Sequence, residues 1–198
     1  MKQVLTPLAA CVAATVFLAG CGGSGMSSSA SSSASGATAA TAASASTSGA
    51  RATAQLQPKS GTNTGGTVTF QQQQGGVLMT ASITGLPPNT VHGFHVHEKG
   101  DCSAPDAMSA GGHFNPGGKP HGQMTSGEHH AGDMNNVTAD ANGNVRVGML
   151  LPALSVGTGA NSVIGRAVVV HKDPDDYKTQ PTGNAGGRIA CGVVAAAS

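Results

Sequence analysis

Six of the eight histidines in this chain fall in short motifs whose spacing suits metal chemistry. Phe94-His95-Val96-His97 places two imidazoles two residues apart. Gly112-His113-Phe114-Asn115-Pro116, Pro120-His121-Gly122 and His130-Ala131-Gly132-Asp133 follow, and Val170-His171 lies far downstream. Neutral imidazole is the commonest ligand for zinc and copper. On an extended strand His95 and His97 leave the same face, which suits two adjacent ligands of one ion. His113, His121, His130 and Asp133 supply three nitrogens and a carboxylate, a full tetrahedral set for zinc. A His-rich stretch can also be a simple metal sponge. A sponge needs neither the remote His171 nor the arginine beside a cysteine in Gly187-Arg188-Ile189-Ala190-Cys191-Gly192.

The elements that must position these residues read as short strands. Alternation marks Thr67 to Gln73, Val77 to Ile83 and Val145 to Met149, the last after Asn142-Gly143, a hairpin signal. Ala54 to Gln57, Val91 to Val96, Asn136 to Thr138, Ala167 to Val170 and Ile189 to Val194 bring the count to about eight. No long helical period appears. The spacing predicts an all-β, antiparallel sandwich or barrel. Residues 98–135 and 172–188 are long and Gly/Pro-rich, and loops of that length in a compact domain are usually functional or disordered.

His92-Gly93-Phe94-His95-Val96-His97-Glu98, Gly112-His113-Phe114-Asn115-Pro116, His130-Ala131-Gly132-Asp133, Asn184-Ala185-Gly186-Gly187-Arg188 and Ile189-Ala190-Cys191-Gly192 together resemble the signature segments of copper,zinc superoxide dismutase. The match runs in order from about residue 53 to 195 and is closest to the bacterial secreted branch. The resemblance implies an eight-stranded Greek-key barrel that disproportionates superoxide to oxygen and hydrogen peroxide. It implies copper on His95, His97, His113 and His171, and zinc on His113, His121, His130 and Asp133, with His113 bridging. It further implies that Arg188 attracts and orients the anion, that His113 carries a proton, and that Asp175 accepts hydrogen bonds from His95 and His121. The loop after Asp175 is short, so the charged guiding residues of the animal enzymes are not carried over. His92 reads as a structural hydrogen-bonding residue. His129 adjoins a ligand, but the spacing from His121 favours His130.

The N-terminus reads as a secretion signal over 1–20, with Lys2 ahead of an apolar run too short for a confident membrane span. Leu18-Ala19-Gly20-Cys21 resembles the bacterial lipoprotein box, with Cys21 as the lipidated residue. Residues 22–50 contain only Gly, Ser, Ala and Thr apart from Met26. With the lipidated cysteine this gives a flexible tether over 21–52, reaching roughly 30 Å, ahead of a dismutase-like domain over 53–198. Cys11 leaves with the signal and lipid takes Cys21, so Cys102 and Cys191 remain as the expected disulfide in an oxidising compartment. Its loop-closure stabilisation is about 4 to 5 kcal/mol on the chain-entropy account.

Loss of Lys2 leaves nine basic and nine acidic side chains, a formal net charge of zero. No basic stripe points to nucleic acid, and steering of an anion must be local. The expected partners are superoxide and a membrane reached through Cys21, with a homodimer left open. The expected location is the bacterial cell envelope, on the periplasmic or extracellular side, where the activity would protect against superoxide. Two rival functions stand beside this one. Met108, Met124 and Met134 interleave with the histidines, and thioether suits cuprous ion, so a copper-binding or delivery protein is one. A non-catalytic dismutase-like scaffold is the other.

Overall fold

The computed structural model describes residues 49–197. The expected signal, Cys11, Cys21 and most of the expected tether lie outside the described residues. Strand β1 spans Arg51–Pro58, starting two residues inside the segment read as tether. It is followed by β2 (Gly65–Gln73), β3 (Gly76–Thr84), β4 (Val91–His92), β5 (Phe94–His97), β6 (Val137–Thr138), β7 (Val145–Leu151), β8 (Ala167–His171) and β9 (Arg188–Ala196). One short 3-10 turn, Met108–Ala110, interrupts the first long loop.

Alternation builds the sheet. On β3, Val77, Met79, Ala81 and Ile83 are buried, while Thr80 and Thr84 are exposed. On β2, Val68 and Phe70 are buried opposite Ala81 and Met79. A one-residue slip would turn every one of these side chains to water, so the core fixes the register. Among the described residues, every pairing between named strands is antiparallel. Seven strands run in the order β5-β8-β9-β1-β2-β3-β7, and β4 pairs with β6 separately. Sequence neighbours β3 and β4 therefore part company, and β7 returns to lie beside β3. Such long-range returns are the mark of a Greek key. The inner faces of the curled sheet enclose one core from Ala52 to Val194, with Phe70, Phe94, Met79 and Ile83 among its largest fully buried side chains.

Two sequence expectations change. The run read as one strand over Val91 to Val96 breaks at Gly93 into β4 and β5. There Gly93 N donates to Asp173 O and Gly93 O accepts from His171 N, so the chain switches partners from β6 to β8. A Cβ at Gly93 would press on Ala185. Asn142-Gly143 does form a tight turn, with the Asp140 carboxylate accepting from Asn142 N and Asn144 N. It does not close a β6–β7 hairpin, because β6 pairs with β4 and β7 with β3.

The disulfide between Cys102 and Cys191 is present, with a Cα–Cα distance of 5.8 Å. It sits in a small second cluster with Ala107, Ala110, Ala167 and Val169. The first long loop is thereby fastened to β9, three residues beyond Arg188.

Candidate metal centre

Phe94 and Val96 point into the core, so the opposite face of β5 carries His95 and His97, both fully buried. His171 ends β8, where the β8–β9 register shifts between Val170 and His171. Bulges of this kind re-aim a side chain. The first long loop folds back along β5: Phe114 N donates to Val96 O, Gly132 N to Phe114 O, and Val96 N to Gly132 O. Local bridges set His113 against His97 and Asp133 against His95.

Two groups of four donors result. His95, His97, His113 and His171 form one, and His113, His121, His130 and Asp133 form the other, with the donor atoms of each group within 4.8 Å of one another. All seven residues are buried, and His113 belongs to both groups.

Hydrogen bonding decides which nitrogen each ring offers. His97 Nδ1 donates to Gly111 O at 2.9 Å and His171 Nδ1 to Gly186 O at 3.3 Å. Carbonyls only accept, so in the neutral rings both protons sit on Nδ1 and both Nε2 atoms carry lone pairs. Those two Nε2 atoms face each other at 3.3 Å, an arrangement that repels unless a cation lies between them. His95 Nε2 meets Asp175 Oδ2 at 2.8 Å, which leaves His95 Nδ1 without a partner. His113 Nε2 is likewise buried and unpaired. In the second group His121 Nδ1 and His130 Nδ1 have no hydrogen bond, although Asp133 oxygens lie 3.0 and 3.3 Å away. Asp133 Oδ2 is held by Gly122 N and His130 N, and Oδ1 lies 2.8 Å from His113 Nδ1. Buried polar atoms normally find partners. Two sets of unpaired donors converging on two points fit two cations.

Burial pushes His95, His97 and His171 below the usual imidazole value, which keeps their lone pairs free for a metal. His113 falls to about 4, chiefly by burial and against its hydrogen bond to Asp133. His121 is buried too, but Asp133 and Asp175 on either side outweigh that and raise it to about 9. An ion at Nδ1 would displace that proton. Burial opposes ionisation of Asp133 and Asp175, yet their histidine hydrogen bonds hold both below the usual carboxylate range.

Arg188 donates from Nη1 to Ala107 O at 2.7 Å and from Nη2 to Gly111 O at 2.6 Å. Gly111 O therefore joins the guanidinium to His97. Arg188 lines an open cavity of about 350 Å³ with Asp106, Met108, Thr182 and His171. A larger cavity of about 840 Å³ is lined by His92 and Ile189 among others, and by none of the seven donor residues.

The remaining expected residues fall as follows. Asp175 contacts His95 Nε2 and His121 Nε2. His92 Nδ1 donates to His171 O. His129 contacts the carbonyl of His130 through Nδ1 and joins neither donor group. Asp176 caps an exposed turn at Lys178 and Thr179. The methionines do not gather: Met134 is in the core, Met124 packs against it, and Met108 is exposed. Sequence reasoning missed Asn136, Tyr177, Gln180 and Gly183. Gln180 brackets the main chain of His121, donating to its O and accepting from its N. A Cβ at Gly183 would overlap the Asp175 carboxylate and crowd His121, and its φ of +68° already favours glycine.

Residues 64–194 match the sequence family described as copper/zinc superoxide dismutase (SODC). The chain belongs to the copper/zinc superoxide dismutase family. Among curated relatives, Cu-Zn superoxide dismutase 2 of Aquifex aeolicus (strain VF5) is 50% identical over 123 residues, 60% of this chain and 72% of the relative. A double mutant of a SOD-like protein from Bacillus subtilis superposes with a TM-score of 0.64 at 39% identity, over 71% of this chain and 94% of that one. The clock protein EA4 does so with a TM-score of 0.67 at 44% identity, over 75% and 96%. The family takes copper and zinc, and the two donor groups match that demand.

Proposed function

We propose that this chain disproportionates superoxide, converting two superoxide anions and two protons to oxygen and hydrogen peroxide. Copper would be held by His95, His97, His113 and His171, and zinc by His113, His121, His130 and Asp133. The observation that carries this reading is the sharing of His113, with an unpaired Nε2 facing the first group and Nδ1 facing the second. Copper supplies the one-electron exchange that zinc does not. The four-histidine group suits it, and the carboxylate-containing group suits zinc.

The chain's own groups do the rest. Arg188 is fixed by two carbonyls at the mouth, where a permanent cation draws in and orients a small anion. When copper does not occupy it, His113 Nε2 would be the atom that holds a proton and passes it to the peroxide product. Asp175 ties His95 to His121 and so sets the orientation of one ring in each group. A delivery protein needs neither Arg188 nor a second metal group, and a scaffold without catalysis would not be expected to keep every donor. We further propose lipid anchoring at Cys21, a place in the bacterial envelope and protection there against superoxide. The lipobox-like run and the Gly/Ser-rich stretch support these. A second copy of the chain is a candidate partner.

Elemental analysis after reconstitution tests the metal assignment. One copper and one zinc per chain are expected. His171→Ala should lose copper and keep zinc, and His113→Ala should weaken both. Equal loss of both metals from His171→Ala would contradict the assignment.

A further inference from the structure

Asp175 is a loop residue asked to orient two histidines at once. A carboxylate with that task must be held within about half an ångström by its own supports. Two half-buried residues supply them. Asn136 pairs with the Asp175 main chain in both directions: its Nδ2 donates to Asp175 O, and its Oδ1 accepts from Asp175 N, each at 2.9 Å. Tyr177 N donates to Asp175 Oδ1 at 2.7 Å, the oxygen that also faces His121 Nε2. The ring is closed by Tyr177 Oη, which accepts from Asn136 N at 2.7 Å.

Tyr177 reaches both ends of this ring because its backbone is left-handed, at φ 60°. That conformation is unfavourable for a bulky non-glycine residue and persists where its surroundings hold it. Here it aims the amide at Asp175 while the phenol reaches back to Asn136. Asn136 in turn precedes β6, whose Val137 is buried in the core together with nearby Met134. The side chain thus ties the loop bearing Asp175 to a rigid part of the barrel.

We infer that Tyr177 is a positioning residue for the metal centre, acting through Asn136 to hold the Asp175 carboxylate between His95 and His121. This deepens, and rests on, the metal assignment above. Tyr177 touches no donor atom of either group, so it acts on zinc retention through Asp175 alone.

The test is zinc affinity of the copper-free protein, read by competition with a chromogenic chelator, for the parent, Tyr177→Phe, Asp175→Asn and the double variant. Thermal unfolding of each metal-free protein is followed in parallel. Removing a direct partner of a ligand typically costs about 10- to 100-fold in affinity. Tyr177 stands one contact further out, so Tyr177→Phe should weaken zinc by about 3- to 10-fold. It should add nothing in the Asp175→Asn background, because the two act in series. Unchanged affinity in Tyr177→Phe overturns the inference. So does the same fold-loss in both backgrounds, or a loss fully matched by lower metal-free stability, since each means that Tyr177 only supports the fold. A parent protein that takes up no zinc contradicts the metal assignment itself, a separate failure.

Discussion

Among the described residues, Arg188 is the single permanent cation lining the mouth that reaches His171, and Asp106 lines the same mouth. The guidance it provides is therefore local and open to measurement. Arg188→Ala should lower the rate of the metal-loaded protein roughly tenfold, which corresponds to about 1.4 kcal/mol of lost attraction. Arg188→Glu should lower it further by adding repulsion, and both should keep their metals. The parent rate should fall as salt rises, since exposed charges are screened over about 10 Å at 0.1 M ionic strength. Superoxide dismutases are established cases of steered association. A fully loaded Arg188→Glu that matches the parent at low salt makes Arg188 structural. Gly183 offers a sharper steric test. Gly183→Ala should displace Asp175 and lower zinc affinity about 10-fold or more, measured by chelator competition. Unchanged zinc affinity would show that the loop gives way freely. The seven donor residues could be named from the chain because their types and motifs carry the chemistry. Tyr177, Asn136 and Gln180 could not, since each works by contacts across about 40 to 60 residues with main-chain atoms that no local pattern records.

At the scale of elements, period-two alternation exposed the strands because one face of each meets a single core. Val77, Met79, Ala81 and Ile83 are the plainest case. Where alternation gave way to an unbroken run, as across Val91 to Val96, the break at Gly93 was invisible. It depends on which distant strand supplies the partner, and that is settled by the whole fold. The same reason hid the fate of the Asn142-Gly143 turn. The core also makes a quantitative demand. Phe70 on β2 is fully buried opposite Met79 on β3. Phe70→Ala should cost about 3–5 kcal/mol through lost burial and the cavity left behind. Denaturant unfolding of the metal-free protein measures this. A cost under 1 kcal/mol would mean that the site collapses around the gap or that the core is looser than the packing indicates.

On the scale of the whole molecule, the full chain carries a formal net charge of only +1, so no strong global field replaces Arg188. The disulfide joins the loop that holds the Arg188 guanidinium to the strand that bears it, and so couples fold closure to the geometry of the mouth. The envelope reading makes its own demand. Cys21→Ser should move most of the protein from membrane to soluble fractions, checked by fractionation with metabolic lipid labelling. A variant that stays with membranes, from a parent that never labels, would contradict the anchor. The central claim is that a histidine-bridged copper and zinc pair on this chain consumes superoxide. Pulse radiolysis tests it most directly, by following superoxide decay with protein carrying graded copper at constant zinc. The account predicts that decay accelerates in proportion to bound copper and that zinc-only protein leaves it unchanged. Copper-loaded protein that fails to accelerate superoxide decay would contradict it.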